Sequence, residues 1–151
     1  MRFVATTLAV SALTFSLSCA RAFAVDERIA DPQAMAALML KADQALPKDQ
    51  CFLYAEIVHQ MTELAGQQMS SGDAHASETL RLVQKYAEKI HMGVAEDGKK
   101  MKNAEQLMRH TSYRLNDILN AASYDDRQAL QATLKQLEQV QTELMMQVFK
   151  K

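Results

Sequence analysis

The chain has 151 residues, with 17 Lys and Arg against 18 Asp and Glu, no Trp, 4 Gly and 2 Pro. So even a balance, with no concentrated basic stretch, argues against nucleic acid, whose phosphates need a basic face. The scarcity of aromatic residues leaves no aromatic belt and no stacking platform for sugars.

Residues 1–24 read as a cleavable secretory signal. Met1-Arg2-Phe3 gives a positively charged start, Val4 to Ser18 is uncharged and apolar, and Ala22-Phe23-Ala24 gives the small-x-small pattern of a cleavage site. The apolar run is too short to be a comfortable permanent span. Cys19 raises a lipid anchor as an alternative, but the bacterial lipobox it would resemble wants Leu three residues before the Cys. Here Leu17 stands one place too late. Cleavage after Ala24 removes Arg2 and Arg21, so residues 25–151 carry a net charge of −3 and suit one domain with one core. Neither end carries a basic cluster beyond Lys150-Lys151, so the sequence offers no patch for an anionic membrane. The expected compartment is periplasmic or extracellular, without stable membrane insertion after cleavage.

The rest of the chain is rich in Ala, Leu, Gln, Met, Lys and Glu, which lose least entropy in a helix. Asp31-Pro32 is a helix start, since Asp accepts from free first-turn amides and Pro has none to waste. Met35, Leu38, Met39, Ala42 and Leu46 form a short stripe that Pro47 ends. Asp49 is placed to cap a second helix to about residue 70, with Phe52, Leu53, Ile57, Val58, Met61, Leu64 and Ala65 apolar on a broad face. Ser70-Ser71-Gly72-Asp73 is turn composition.

From Leu80 the apolar spacing alternates three and four as far as Ala122, interrupted only by Asp97 and Thr111. A last helix starts near Asp125 and carries Leu130, Leu134, Leu137, Val140, Leu144 and Val148. No alternating strand pattern occurs. The fold class expected is all-α: an antiparallel bundle of four long helices, about 49–70, 73–97, 99–122 and 125–150, plus a short N-terminal helix. Near-equal lengths joined by short loops suit an up-down bundle. The alternative is one long helix over 73–122 in a coiled-coil-like hairpin, favoured by unbroken phase and by a Glu96–Lys100 pair four apart.

The chemical signals are sparse. Glu56-Ile-Val-His59 and Glu88-Lys-Ile-His91 repeat a Glu-x-x-His that resembles the motif of ferritin-like di-iron carboxylate proteins. That resemblance would make Glu56, His59, Glu88 and His91 metal ligands. The family spaces its motifs further apart and adds a Glu from each of two other helices, and both motifs here fall off the apolar stripes. A solvated ion pair is the competing reading. Met residues beside His91 and His110 raise copper through soft thioethers, but Met35, Met39, Met61, Met101 and Met108 lie on apolar stripes, where Met fills gaps. Cys51, the one cysteine left after cleavage, has no intramolecular partner. It is read first as a buried small side chain and second as the site of an intermolecular disulfide; its place early in a helix favours the thiolate, an effect that Asp49 opposes. The Leu-Thr-x-x-Gln repeat usual in small helical envelope chaperones is absent. No catalytic set and no cofactor is expected. The reading is a non-enzymatic protein-interaction or structural module of the cell envelope, acting on a protein partner or by self-association; the alternative is a metal-binding bundle.

Overall fold

The computed structural model describes residues 31–92 and 98–150, with the side chains at 91, 92 and 98 outside the description. The expected secretory signal, Cys19 and the Glu96–Lys100 pair therefore fall wholly or partly outside the described residues. Five helices follow in order: α1 (Pro32–Gln44), α2 (Pro47–Ser71), α3 (Ala76–Met92), α4 (Gly98–Ala121) and α5 (Tyr124–Phe149), and no strand occurs among the described residues.

Local chemistry sets most of the ends. The Asp31 carboxylate accepts from the amides of Gln33 and Ala34, both at 2.8 Å, and Pro32 opens α1. Contrary to expectation, Asp49 does not cap α2. The helix opens two residues earlier on Pro47, whose fixed φ suits a first helical position, with Leu46 before it contributing no side-chain bond. At the other end Gly72 takes φ +71°. There the amides of Gly72 and Asp73 return to the carbonyls of Met69 and Gln68, a Schellman closure that satisfies carbonyls the helix would leave open. Ser123 caps α5 by accepting from the Asp126 amide, and its hydroxyl donates to the Asp126 carboxylate at 2.6 Å.

The single long helix over 73–122 is ruled out. Side-chain pairs run Asp49–Lys100, His59–Thr111 and Glu63–Arg114, so residue numbers rise together along α2 and α4 and these helices are parallel. The tight turn at Gly72 makes α3 antiparallel to α2, so α3 and α4 run antiparallel and are not one helix. The directions alternate as an up-down bundle requires, but consecutive helices are not all neighbours. Helix α2 packs on α3 and α4, and α5 packs on α4 and α3, whereas among the described residues α3 does not approach α4 closely nor α2 approach α5. The ring order is α2–α3–α5–α4. Consecutive helices α3 and α4 stand across a diagonal, and each of the two parallel pairs, α2/α4 and α3/α5, shares a wall.

The core follows the sequence stripes: Leu80, Val83, Ala87 and Ile90 on α3, Met101, Ala104, Met108 and Leu115 on α4, and Leu130, Leu137, Val140 and Leu144 on α5 are buried. Each fully buried Leu, Ile or Met contributes about 1.5–3 kcal/mol relative to exposure. Helix α2 is different, because α1 packs on it besides α3 and α4. Cys51, Leu53, Tyr54, Ile57, His59 and Glu63 are all buried, a spread wider than one face. Gly66 lets α4 come close: a Cβ there would stand 2.6 Å from Ile118 Cδ1.

Candidate functional site

The α2/α4 wall carries three polar cross-links. Lys100 meets Asp49 at the end where both helices begin. One level up, His59 Nδ1 lies 3.1 Å from Thr111 Oγ1, with the His110 ring centred 5.5 Å from the His59 ring. Above that, Arg114 Nε donates to both Glu63 carboxylate oxygens at 3.0 Å. Glu63 is buried, so the guanidinium compensates a carboxylate that would otherwise be costly to desolvate. The α3/α5 wall repeats the device: Gln84 Nε2 donates to Thr133 Oγ1 at 2.8 Å, and Gln136 Nε2 donates to the Gln84 carbonyl at 3.0 Å.

A groove of about 670 Å³ opens where α1 crosses α2 beside the start of α4. Ala37, Leu40, Phe52 and Leu53 line it, with Lys41 and Glu56 among its charged residues. Burial holds the Glu56 carboxyl above its ordinary range, partly offset by the charge of Lys41. Leu40 is 59% exposed, so the groove presents apolar surface to solvent.

On the other flank of α1, Lys89 Nζ lies 5.1 Å from the Tyr54 ring centre and 5.0 Å from that of Tyr86. It donates to Asp43 Oδ1 at 2.8 Å, the same oxygen that accepts from the Tyr54 hydroxyl at 3.2 Å. Asp43 is thereby held below the usual carboxylate range, first through its hydrogen bond to Lys89, and Lys89 is held above the usual lysine range by the same bond. These side chains come from three helices, so no spacing in the sequence announces the cluster.

The Glu-x-x-His residues are dispersed. Glu56 is half-buried at the groove, and His59 is buried against α4 rather than on an outer face, because α4 lies to that side of α2. Glu88 is exposed on α3, and the His91 side chain lies outside the described residues. Among the described residues no three His, Cys, Asp or Glu side chains converge as a metal would require. Met35, Met61, Met101 and Met108 are core residues. Cys51 is buried at 1% exposure, in line with the first reading of it as a buried small side chain, and burial pushes its thiol up to about 11. An intermolecular disulfide there would require the core to open first.

Compared with known protein families, with curated proteins and with solved structures, this chain matches none.

Proposed function

We propose that the protein is an exported, non-enzymatic helical-bundle module of the cell envelope that works through protein contacts. Export rests on the charged start, short apolar run and Ala22-Phe23-Ala24 of the leader. The contact role rests on the groove beside α1. Its apolar lining, exposed Leu40 and flanking Lys41 and Glu56 suit a partner side chain that is apolar with a polar edge. The polar groups nearer the core serve helix pairing instead, as His59 with Thr111 and Glu63 with Arg114 illustrate.

The test is photo-cross-linking in the expressing cell from position 40, with position 131 on exposed α5 surface as control. A single protein adduct is expected from position 40, absent from position 131, and abolished when Ala37→Trp fills the groove. Equal adducts from both positions, or an adduct indifferent to Ala37→Trp, would reject the groove as the contact site.

A further inference from the structure

Lysines scattered through the sequence collect at one end of the bundle. That end is where α2 and α4 begin and α3 and α5 stop, as the Asp49–Lys100 pair and the α4/α5 turn at the opposite end require. Lys48 from α2, Lys99 and Lys102 from α4, and Lys150 just past α5 are all exposed there. Of the described carboxylates of the same end, Asp43 is engaged by Lys89, Asp49 by Lys100 and Glu143 by the Gln139 amide at 3.2 Å, while Glu88 is exposed. The opposite end reverses the sign, with Asp73, Glu78, Asp117, Asp125 and Asp126 against Arg81, Arg114 and Arg127.

The basic end also holds exposed large apolar side chains: Leu46 at 61%, Met145 at 40%, Met146 at 58% and Phe149 at 78%. Met145, Met146 and Phe149 share the outer face of the last turn of α5, since positions one, two and five residues past buried Leu144 all point away from it. Exposed apolar side chains rimmed by lysines suit an anionic lipid surface. The apolar groups enter the headgroup layer, and each lysine lays its stem on the interface with its ammonium at the phosphates. A neutral protein face would use the apolar groups but would not require so many exposed ammoniums, and an acidic protein face is told from lipid by the vesicle test below. No described helix is long and apolar enough to cross a membrane, so the contact is peripheral.

We infer that this basic, apolar end docks the bundle upright on an anionic membrane surface. It uses Leu46, Met146 and Phe149 as shallow anchors and Lys48, Lys99, Lys102 and Lys150 as headgroup contacts. The inference is independent of the groove beside α1, since none of these residues lines it. The acidic end is left facing away from the membrane, where repulsion from the same lipids reinforces the orientation.

Flotation with vesicles tests this, using the chain from Val25 onward, which keeps the whole described core from Met35 to Leu144. Vesicles of phosphatidylcholine with one-third phosphatidylglycerol are compared with pure phosphatidylcholine. Binding to the anionic vesicles at low salt is expected, with loss at about 0.5 M salt, where charges are screened within a few ångström. Because one lysine at an anionic surface is worth roughly fivefold in partitioning, Lys48→Gln with Lys99→Gln, Lys102→Gln and Lys150→Gln should weaken binding at least tenfold. Met146→Ser with Phe149→Ser should weaken it several-fold while keeping the salt dependence. Circular dichroism confirms that each variant remains folded. Equal binding to neutral vesicles, no binding by the parent chain, or lysine variants that bind like the parent would each overturn the inference. Salt-sensitive self-association without vesicle binding would overturn it as well, by assigning the basic end to the acidic end of a second copy.

Discussion

Thr111 Oγ1 lies 2.8 Å from the Leu107 carbonyl of its own helix and 3.1 Å from His59 Nδ1 on α2. The hydroxyl has one proton, which it donates to the carbonyl, so toward His59 it can only accept. The imidazole must therefore carry its proton on Nδ1. Thr111→Val keeps the shape but removes the acceptor from a buried N–H, at a cost of about 1–3 kcal/mol. The expected fall in Tm is about 4–10 °C, with Thr111→Ser close to the parent. A Thr111→Val protein as stable as the parent would show that this pairing does not hold α4 to α2.

Thr133 plays the same part on α5, donating to the Ala129 carbonyl at 2.9 Å and accepting from Gln84 on α3. Gln84 is only half-buried, so water can replace the lost acceptor. Thr133→Val should cost about 1 kcal/mol or less. Urea unfolding of both valine variants checks the ranking, which fails if Thr133→Val is the more damaging.

The thiol of Cys51 gives the protein an alkaline liability. Its folded-state value of about 11 exceeds the ordinary value of 9.0. The folded form therefore keeps the proton while the unfolded chain loses it, so this stabilisation is complete below pH 9 and declines as pH rises toward 11. The decline is worth roughly 2 kcal/mol, and Cys51→Ala should flatten that part of the stability–pH curve. At pH 8 maleimide should label the native thiol at least about 100-fold more slowly than the denatured one. Rapid labelling of the native protein would contradict the burial.

Helix α1 is held by few buried side chains, Met35 and Ala42, plus the Asp43–Lys89–Tyr54–Tyr86 cluster. An exposed ion pair and a cation–π contact together amount to about 1 kcal/mol. Lys89→Met should speed hydrogen exchange of α1 amides about fivefold while leaving α4 unchanged. Because the folded Asp43 carboxyl is held low, its support is present above the ordinary aspartate range and is lost as pH falls through it. The protection of α1 amides relative to their intrinsic exchange should fall in acid for the parent and much less for Lys89→Met. Uniform acceleration across all helices would assign the cluster to the whole bundle instead.

At Gly72 the backbone φ of +71° is the reason for glycine, since a Cβ there would meet nothing within 4 Å. Gly72→Ala should cost about 1–2 kcal/mol, the left-handed penalty of an L residue. Thermal unfolding reads it directly, and an unchanged Tm would mean that the turn relaxes to another closure.

The helical class and most stripe residues were legible because helix periodicity and capping are local. Thr111 was visible as an interruption of the α4 stripe, but its reason, His59, comes from another helix. His59 was misplaced for the same cause: a single helix wheel of α2 cannot show that α1 and α4 cover its remaining faces. The reversal between α3 and α4 was obscured by apolar phase continuing through residues 93–97, and the diagonal placement of those helices has no local signature. The lysine-rich end was invisible in the sequence because Lys48, the Lys99 and Lys102 pair, and Lys150 belong to three segments that only the fold brings to one end.

The export on which the proposed role depends is tested most directly by the intact mass of the protein isolated from the cell envelope. A single species whose mass fits a chain starting at Val25 with an unmodified Cys51 is the expected result. A mass that retains Met1, or one that starts at an acylated Cys19, would contradict a cleaved and released module.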